Sequence, residues 1–146
     1  ARHFSGLAGG RAVVADDSGL EVLALGGEPG VRSKRWSGIA GLAGPALDAA
    51  NNAKLIARLR GEPDRRARFV CAAAWCEHGR ERVARGEVSG EIVDHASGAN
   101  GFGYDPHFRS TELGVTLGEA RMAEKQRVSH RARAFAALLA EVRAIR

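Results

Sequence analysis

The segment from Arg68 to Val88 leaves the least freedom in how this chain can fold. Phe69, Cys71, Ala73 and Trp75 recur at every second position, His78-Gly79-Arg80 supplies a turn, and Glu81 to Val88 runs back. Period-two alternation on either side of a glycine-containing turn predicts a β-hairpin. From Pro45 to Arg60 the pattern is helical instead, with Leu47, Ala50, Leu55, Ile56 and Leu59 on one side. Pro45 suits the first turn of that helix, and Gly61 and Pro63 end it. A last helix is predicted from about Arg131, where Phe135, Leu138, Leu139, Val142 and Ile145 keep the 3.6-residue period and Ser129 can cap. Upstream, Ala12 to Ala15 reads as a short buried strand running into a turn at Asp16-Asp17-Ser18-Gly19. Glu21 to Leu25 reads as a second short strand, stopped by Gly26-Gly27 and Pro29-Gly30, and Glu91 to Val93 continues the sheet beyond Gly90. Strands mixed with a few helices predict an α/β domain on a mixed sheet.

The 146 residues suit one domain, and no repeat, low-complexity linker or composition break divides residues 1–146. The longest apolar run, Phe69 to Cys76, is far short of the roughly 20 residues a membrane-spanning helix needs, so no membrane association is expected. The net charge of +5 is carried by 19 arginines against 3 lysines, in a chain also rich in alanine and glycine. GC-rich coding produces that bias by itself. With one tyrosine and no aromatic-interleaved basic run, the charge does not argue for nucleic acid as a partner. Cys71 and Cys76 lie five apart in a predicted strand, on opposite faces and about 16 Å apart, so they cannot bridge each other. Two buried, reduced thiols in a cytoplasmic protein is the expectation. The single methionine is Met122, so Ala1 is not an unprocessed start.

Three clusters could carry chemistry. Asp16-Asp17-Ser18-Gly19 follows a buried strand, where ligands of α/β proteins gather. Adjacent carboxylates repel, and a cation beside them keeps both ionised; Mg²⁺ typically takes one or two carboxylates with phosphate oxygens and water. An ordinary turn accounts for the same residues. In Gly101-Phe102-Gly103-Tyr104-Asp105-Pro106 two glycines allow close backbone approach and two aromatics offer a stacking face suited to a purine. A glycine-rich turn with core aromatics is the plainer alternative. Lys125 and Ser129-His130-Arg131 place cationic donors at a helix N-terminus, which favours anions, although a cap on a solvated face would look the same. Carboxylates for a metal, a stacking loop and cationic donors together make the inventory of a nucleotide site.

These residues also resemble a known family. Ala15 to Gly38 (ADDSGLEVLALGGEPGVRSKRWSG), Asp48 to Leu59 (DAANNAKLIARL), Gly101 to Phe108 (GFGYDPHF) and Glu124 to Ala134 (EKQRVSHRARA) look like the noncanonical purine nucleoside triphosphate pyrophosphatases, the inosine triphosphatase group. The resemblance implies an elongated mixed sheet flanked by helices, two lobes with a central cleft, and a homodimer. It implies Mg²⁺-dependent hydrolysis of inosine, deoxyinosine or xanthosine triphosphate to the monophosphate and pyrophosphate. By motif, Asp17 is metal ligand and general base, Asp16 a second metal ligand beside it, and Ser18 a substrate contact. Phe102, Gly103, Tyr104 and Asp105 hold the nucleotide, with Phe102 stacking on the base, and Lys125, His130 and Arg131 contact the purine or its phosphates.

The sequence departs from the family pattern at its start. The Gly-Asn phosphate-binding loop with its lysine, a metal-binding glutamate and an Asn-Ala segment are not in these residues, and Ala1-Arg2 aligns just after them. Without that segment the neighbouring strand is expected to have an open edge and to be aggregation-prone or capped by a partner. Trp36 stands where tyrosine is usual, and Gly114 to Ala120 keeps only Thr116 and Glu119 of its pattern. A purine-nucleotide binding module without catalysis, or a dimerisation remnant, is therefore the alternative reading.

Overall fold

The computed structural model describes residues 1–145. Four strands, β1 (Val13–Val22), β2 (Arg66–Glu77), β3 (Arg80–Ile92) and β4 (Phe108–Ser110), lie side by side in chain order. The expected α/β class stands, and among the described residues every strand pairing is antiparallel. The predicted hairpin is β2–β3, with Glu77 opposite Arg80. His78 and Gly79, at φ 49° and 76°, form the two-residue turn with both φ positive that matches strand twist.

Four helices accompany the sheet among the described residues: α1 (Arg2–Leu7), α2 (Gly44–Arg58), α3 (Met122–Val128) and α4 (His130–Arg143). α2 and α4 were expected, and Ser129 caps α4 by accepting from the Ala132 N–H at 3.2 Å. α1 and α3 are additional. α3 starts where the Glu124 carboxylate reaches back to accept the Arg121 N–H at 2.9 Å, a local signal spread over only four residues.

The strand–turn–strand expected from Ala12 to Leu25 is corrected. Asp16, Asp17, Ser18 and Gly19 lie inside the ten-residue strand β1, paired throughout with β2, and Leu23–Leu25 is a 3-10 turn. Turn preference yields here to a continuous ladder. Gly19 serves close approach instead: a Cβ there would stand 2.3 Å from the Gly30 carbonyl oxygen. The segment from Glu28 to Ser33 closes that end of β1, with the Val22 N–H donating to Glu28 O at 3.1 Å and the Leu20 N–H to Ser33 Oγ at 2.8 Å.

One sheet face carries two apolar clusters. Leu20, Val22, Leu55, Leu59, Val88, Phe108 and Tyr104 are buried together, with Phe69 packed against them. Further along, Cys71, Ala73, Trp75 and Ala84 meet Ala134, Leu138 and Val142 of α4. Each large aliphatic side chain so buried contributes roughly 1.5–3 kcal/mol. α4 lies directly on β3 at Gly86, where a Cβ would stand 2.2 Å from the His130 carbonyl oxygen. Ala134 therefore fills the contact line, and Phe135 and Leu139, expected on the buried stripe, are 37% and 50% exposed.

Candidate nucleotide cleft

Beside the first apolar cluster, where Leu20, Phe69 and Tyr104 form part of the wall, lies a cavity of about 320 Å³, and all ten sequence-derived site residues line it: Asp16, Asp17, Ser18, Phe102, Gly103, Tyr104, Asp105, Lys125, His130 and Arg131. The three clusters, separated by some eighty residues of chain between the first and second, thus converge on one site.

β1 supplies the acidic wall. Consecutive strand residues leave on opposite faces, so Asp16 and Asp17 do not sit as a matched pair. Asp16 Oδ2 accepts from Arg131 Nε at 2.8 Å and lies 3.7 Å from the Cys71 sulfur. Asp17 has no hydrogen-bond or ion-pair partner among the described residues. The Ser18 hydroxyl oxygen is buried, and no described residue bonds to it. The free Asp17 carboxylate is a hard oxygen donor of the kind a divalent cation takes together with phosphate oxygens and water, while the Ser18 hydroxyl leaves the strand on the other face, beside Cys71. Among the described residues no group of three or more His, Cys, Asp or Glu could enclose a cation unaided. The Cys71 thiol, fully buried, is pushed up by that burial and stays protonated.

The glycine-rich loop supplies the apolar wall, and its two aromatics divide. Phe102 is 70% exposed, a free ring face at the cavity. Tyr104 belongs to the core, where its hydroxyl donates to Ser33 O at 2.8 Å and burial pushes its phenol up. Asp105, buried, accepts the Phe102 N–H at 2.9 Å and pairs with Lys125, whose ammonium also lies 5.4 Å from the Phe102 ring centre. Gly101 stands over that pair, with room for no side chain: a Cβ would be 2.1 Å from Asp105 Oδ2.

The start of α4 supplies the third wall. The His130 ring stacks on Phe69, with centres 5.2 Å apart and planes at 14°, and Phe69 in turn packs on Phe108. Burial lowers the imidazole to about 4, and the Arg131 and Lys125 charges push the same way against Asp16. His130 is thus neutral near pH 7, with one nitrogen to donate and one to accept.

Lys34, Asp48, Asn51 and Phe69 also line the cavity and were not singled out from the sequence. Lys34 is one of only three lysines, and that scarcity was the signal available. Asp48 resembles any residue of a solvated helix face, whereas Asn51 is buried on the Leu55 side of α2 and carries no sequence signal of its own.

The Ham1 family model matches residues 1–141. A dITP/XTP pyrophosphatase of Ralstonia nicotianae is 49% identical over 146 residues, which are 98% of this chain and 71% of that protein. One from Mycobacterium bovis is 50% identical over 138 residues, or 93% of this chain and 65% of that protein. Among solved structures, the Staphylococcus aureus Ham1 protein superposes with a TM-score of 0.85 at 41% identity, covering 96% of this chain and 71% of that one. A nucleoside-triphosphatase/dITP/XTP pyrophosphatase of Mycobacterium abscessus superposes at 0.80 with 47% identity, covering 95% and 72%. Likeness of this extent in both sequence and structure, on top of four motifs brought to one cleft, makes the chain a member of the Ham1 family.

Proposed function

We infer that the protein hydrolyses noncanonical purine nucleoside triphosphates (ITP, dITP and XTP) to the monophosphate and pyrophosphate. The observation that carries this is the composition of this cleft: an unengaged carboxylate, an exposed aromatic ring and a cationic helix start around about 320 Å³. The base stacks on Phe102, and the Gly103 to Asp105 backbone bounds it. Lys125, His130 and Arg131 contact the purine and the phosphates, and Ser18 contacts the substrate. Donors from His130 and Arg131 suit the O6 acceptor of a 6-oxopurine. Adenine presents an amino donor there and leaves them unpaired, at a cost of about 1–3 kcal/mol for each buried group. Asp17 orients a water towards the α-phosphorus and takes its proton. The water oxygen bonds to that phosphorus as the bond to the bridging oxygen breaks, and pyrophosphate leaves with the electron pair. Asp17, with Asp16 as the second carboxylate of the same strand, would hold a Mg²⁺ ion brought in with the triphosphate, and that ion would neutralise the phosphate charge.

The family resemblance supports a homodimer acting on free nucleotides in the cytoplasm. Cys71 and Cys76, both free and buried, suit a reducing compartment. Among the described residues no helix is long and apolar enough to cross a membrane. Among the described residues at least ten arginines are engaged in ion pairs, so the positive charge is largely answered locally instead of forming a track for nucleic acid.

Pyrophosphate release with Mg²⁺ tests the reading. ITP and XTP are expected to turn over well ahead of ATP, and Asp17→Asn to lower kcat by about 10²-fold or more. Equal turnover of ATP, or none of ITP, overturns it. Calorimetry then separates the alternatives: inosine monophosphate binding without turnover marks a binding module, and no binding marks a structural remnant.

A further inference from the structure

We propose that Asp48 and Asn52 form a clamp on the Gly103 peptide that sets where the stacking loop stands, making them positioning residues for base recognition; this rests on the nucleotide reading above. The two side chains lie one turn apart on α2 and so share a face. Asp48 Oδ2 accepts the Gly103 N–H at 2.9 Å, and Asn52 Nδ2 donates to the Gly103 carbonyl oxygen at 2.9 Å. Both backbone polar atoms of one loop glycine are thus held by side chains more than fifty residues away. No strand or helix ladder reaches this loop from α2, so the two side chains are its link to that wall. The Asn52 amide has one workable orientation, because turning it over would set two carbonyl oxygens against each other.

The platform behind the clamp is fixed. Leu55 and Leu59 are fully buried, and Asn51 accepts the Ser37 N–H at 2.7 Å and donates to Lys34 O at 3.0 Å. Asp48 Oδ1 pairs with Lys34 Nζ at 3.0 Å, which balances the carboxylate charge. Gly103 sits at φ +62° with nothing within 4 Å of a Cβ position, so its backbone conformation, and not lack of room, calls for glycine. Phe102 immediately precedes the clamped residue. Its ring is exposed and has no core packing of its own, so the clamp, the Asp105 carboxylate and the Lys125 ammonium over the ring determine where it stands. Asn52 Oδ1 is buried without a partner, so α2 tolerates an unmet acceptor to keep Nδ2 aimed at the loop.

Steady-state kinetics and amide exchange test this together. Asp48→Ala and Asn52→Ala are each expected to raise KM for ITP about tenfold while kcat stays within about threefold, the signature of lost positioning of the bound base. Asp48→Asn keeps an oxygen that accepts from Gly103 and should restore KM to within about threefold of the wild type. Asn52→Asp opposes two oxygens and should be worse than Asn52→Ala. In the free protein the Gly103 amide hydrogen should exchange slowly in the wild type and in Asp48→Asn, and fast in Asp48→Ala. Unchanged KM in both alanine variants, or Asp48→Asn as impaired as Asp48→Ala at equal melting temperature, overturns the proposal. A wild type that neither binds inosine monophosphate nor hydrolyses ITP defeats the nucleotide reading instead. Gly103 exchange then decides the clamp alone: fast exchange in the wild type removes it, and slow exchange lost in Asp48→Ala retains it as an anchor of the loop.

Discussion

At the scale of single residues, the cleft is governed by which groups are already engaged. Asp16 is held by Arg131, Asp105 by Lys125, and Tyr104 by the Ser33 carbonyl, so five of the residues named from the sequence bond to one another or to the backbone. Asp17, Phe102 and the Ser18 hydroxyl remain available. His130 lies between these groups, polar but kept uncharged. Its folded-state value of about 4 lies below the ordinary imidazole value near 6.5, so between those limits the unfolded chain binds more protons. The stability His130 contributes is therefore complete above about pH 6.5 and is lost as pH falls towards about 4. After discounting for the ring's partial exposure, the loss is about 1–2 kcal/mol. Thermal melts of the wild type and His130→Phe at pH 7.5 and pH 5 check this. Phenylalanine keeps the stack on Phe69 without the titration, so the variant should lose less on acidification; equal losses would show that His130 is not the group responsible.

Among the elements, α4 and β3 show what a sequence displays and what it conceals. The helix was legible from its 3.6-residue period and its Ser129 cap, and the hairpin from its alternation, because both signals are local. The buried stripe of α4 was misread because hydrophobicity favours Phe135 over Ala134, whereas the packing distance favours alanine. Gly86 brings the helix backbone onto the strand, and only a small residue fits the line of contact. The same non-local cause hid β1: Asp16-Asp17-Ser18-Gly19 has turn composition, and only pairing with β2 and the approach of Gly30 make it strand. The candidate residues were nearly all identifiable as residue types in motifs. Their partners on α2 lie in the Asp48 to Leu59 motif, but that motif assigns Asp48 and Asn52 no role, which only the loop they hold makes visible. Gly86→Ala tests the packing argument. The added methyl meets the His130 carbonyl and the Ala134 N–H, so it should lower stability by about 1–3 kcal/mol. It should also weaken inosine monophosphate binding, because His130 and Arg131 ride on the displaced turn. Lost stability with unchanged affinity would separate the seating of the helix from the placement of its donors.

For the whole molecule, the cleft is the place where distant segments are held by little else. β1 is the outermost strand. The Glu28 to Ser33 segment covers its edge from Leu20 to Val22, while Asp16 to Ser18 lie upstream of that cover, and Val14 is 49% exposed. The loop at 101–105 reaches α2 through side chains and α3 through Lys125, and α3 touches α4 only lightly. A ligand that spans these walls adds contacts to segments joined at single points, such as Asp16–Arg131 and Tyr104–Ser33, so binding should tighten them together. At a concentration about 100 times its Kd, inosine monophosphate should add about 2.7 kcal/mol of stability. That corresponds to a melting temperature higher by roughly 5–10 °C. Amide exchange should slow in the same titration at Asp16 to Ser18, at Gly101 to Asp105 and in the first turn of α4, all with one midpoint. If the purine engaged the loop alone, exchange would slow only there, and Asp16 to Ser18 and the start of α4 would keep their unliganded rates. Because the Asp16–Arg131 ion pair already joins β1 to the start of α4, the decisive comparison is the loop against those two: a common midpoint there requires one occupant in contact with the loop and with the Asp16–Arg131 side of the cleft.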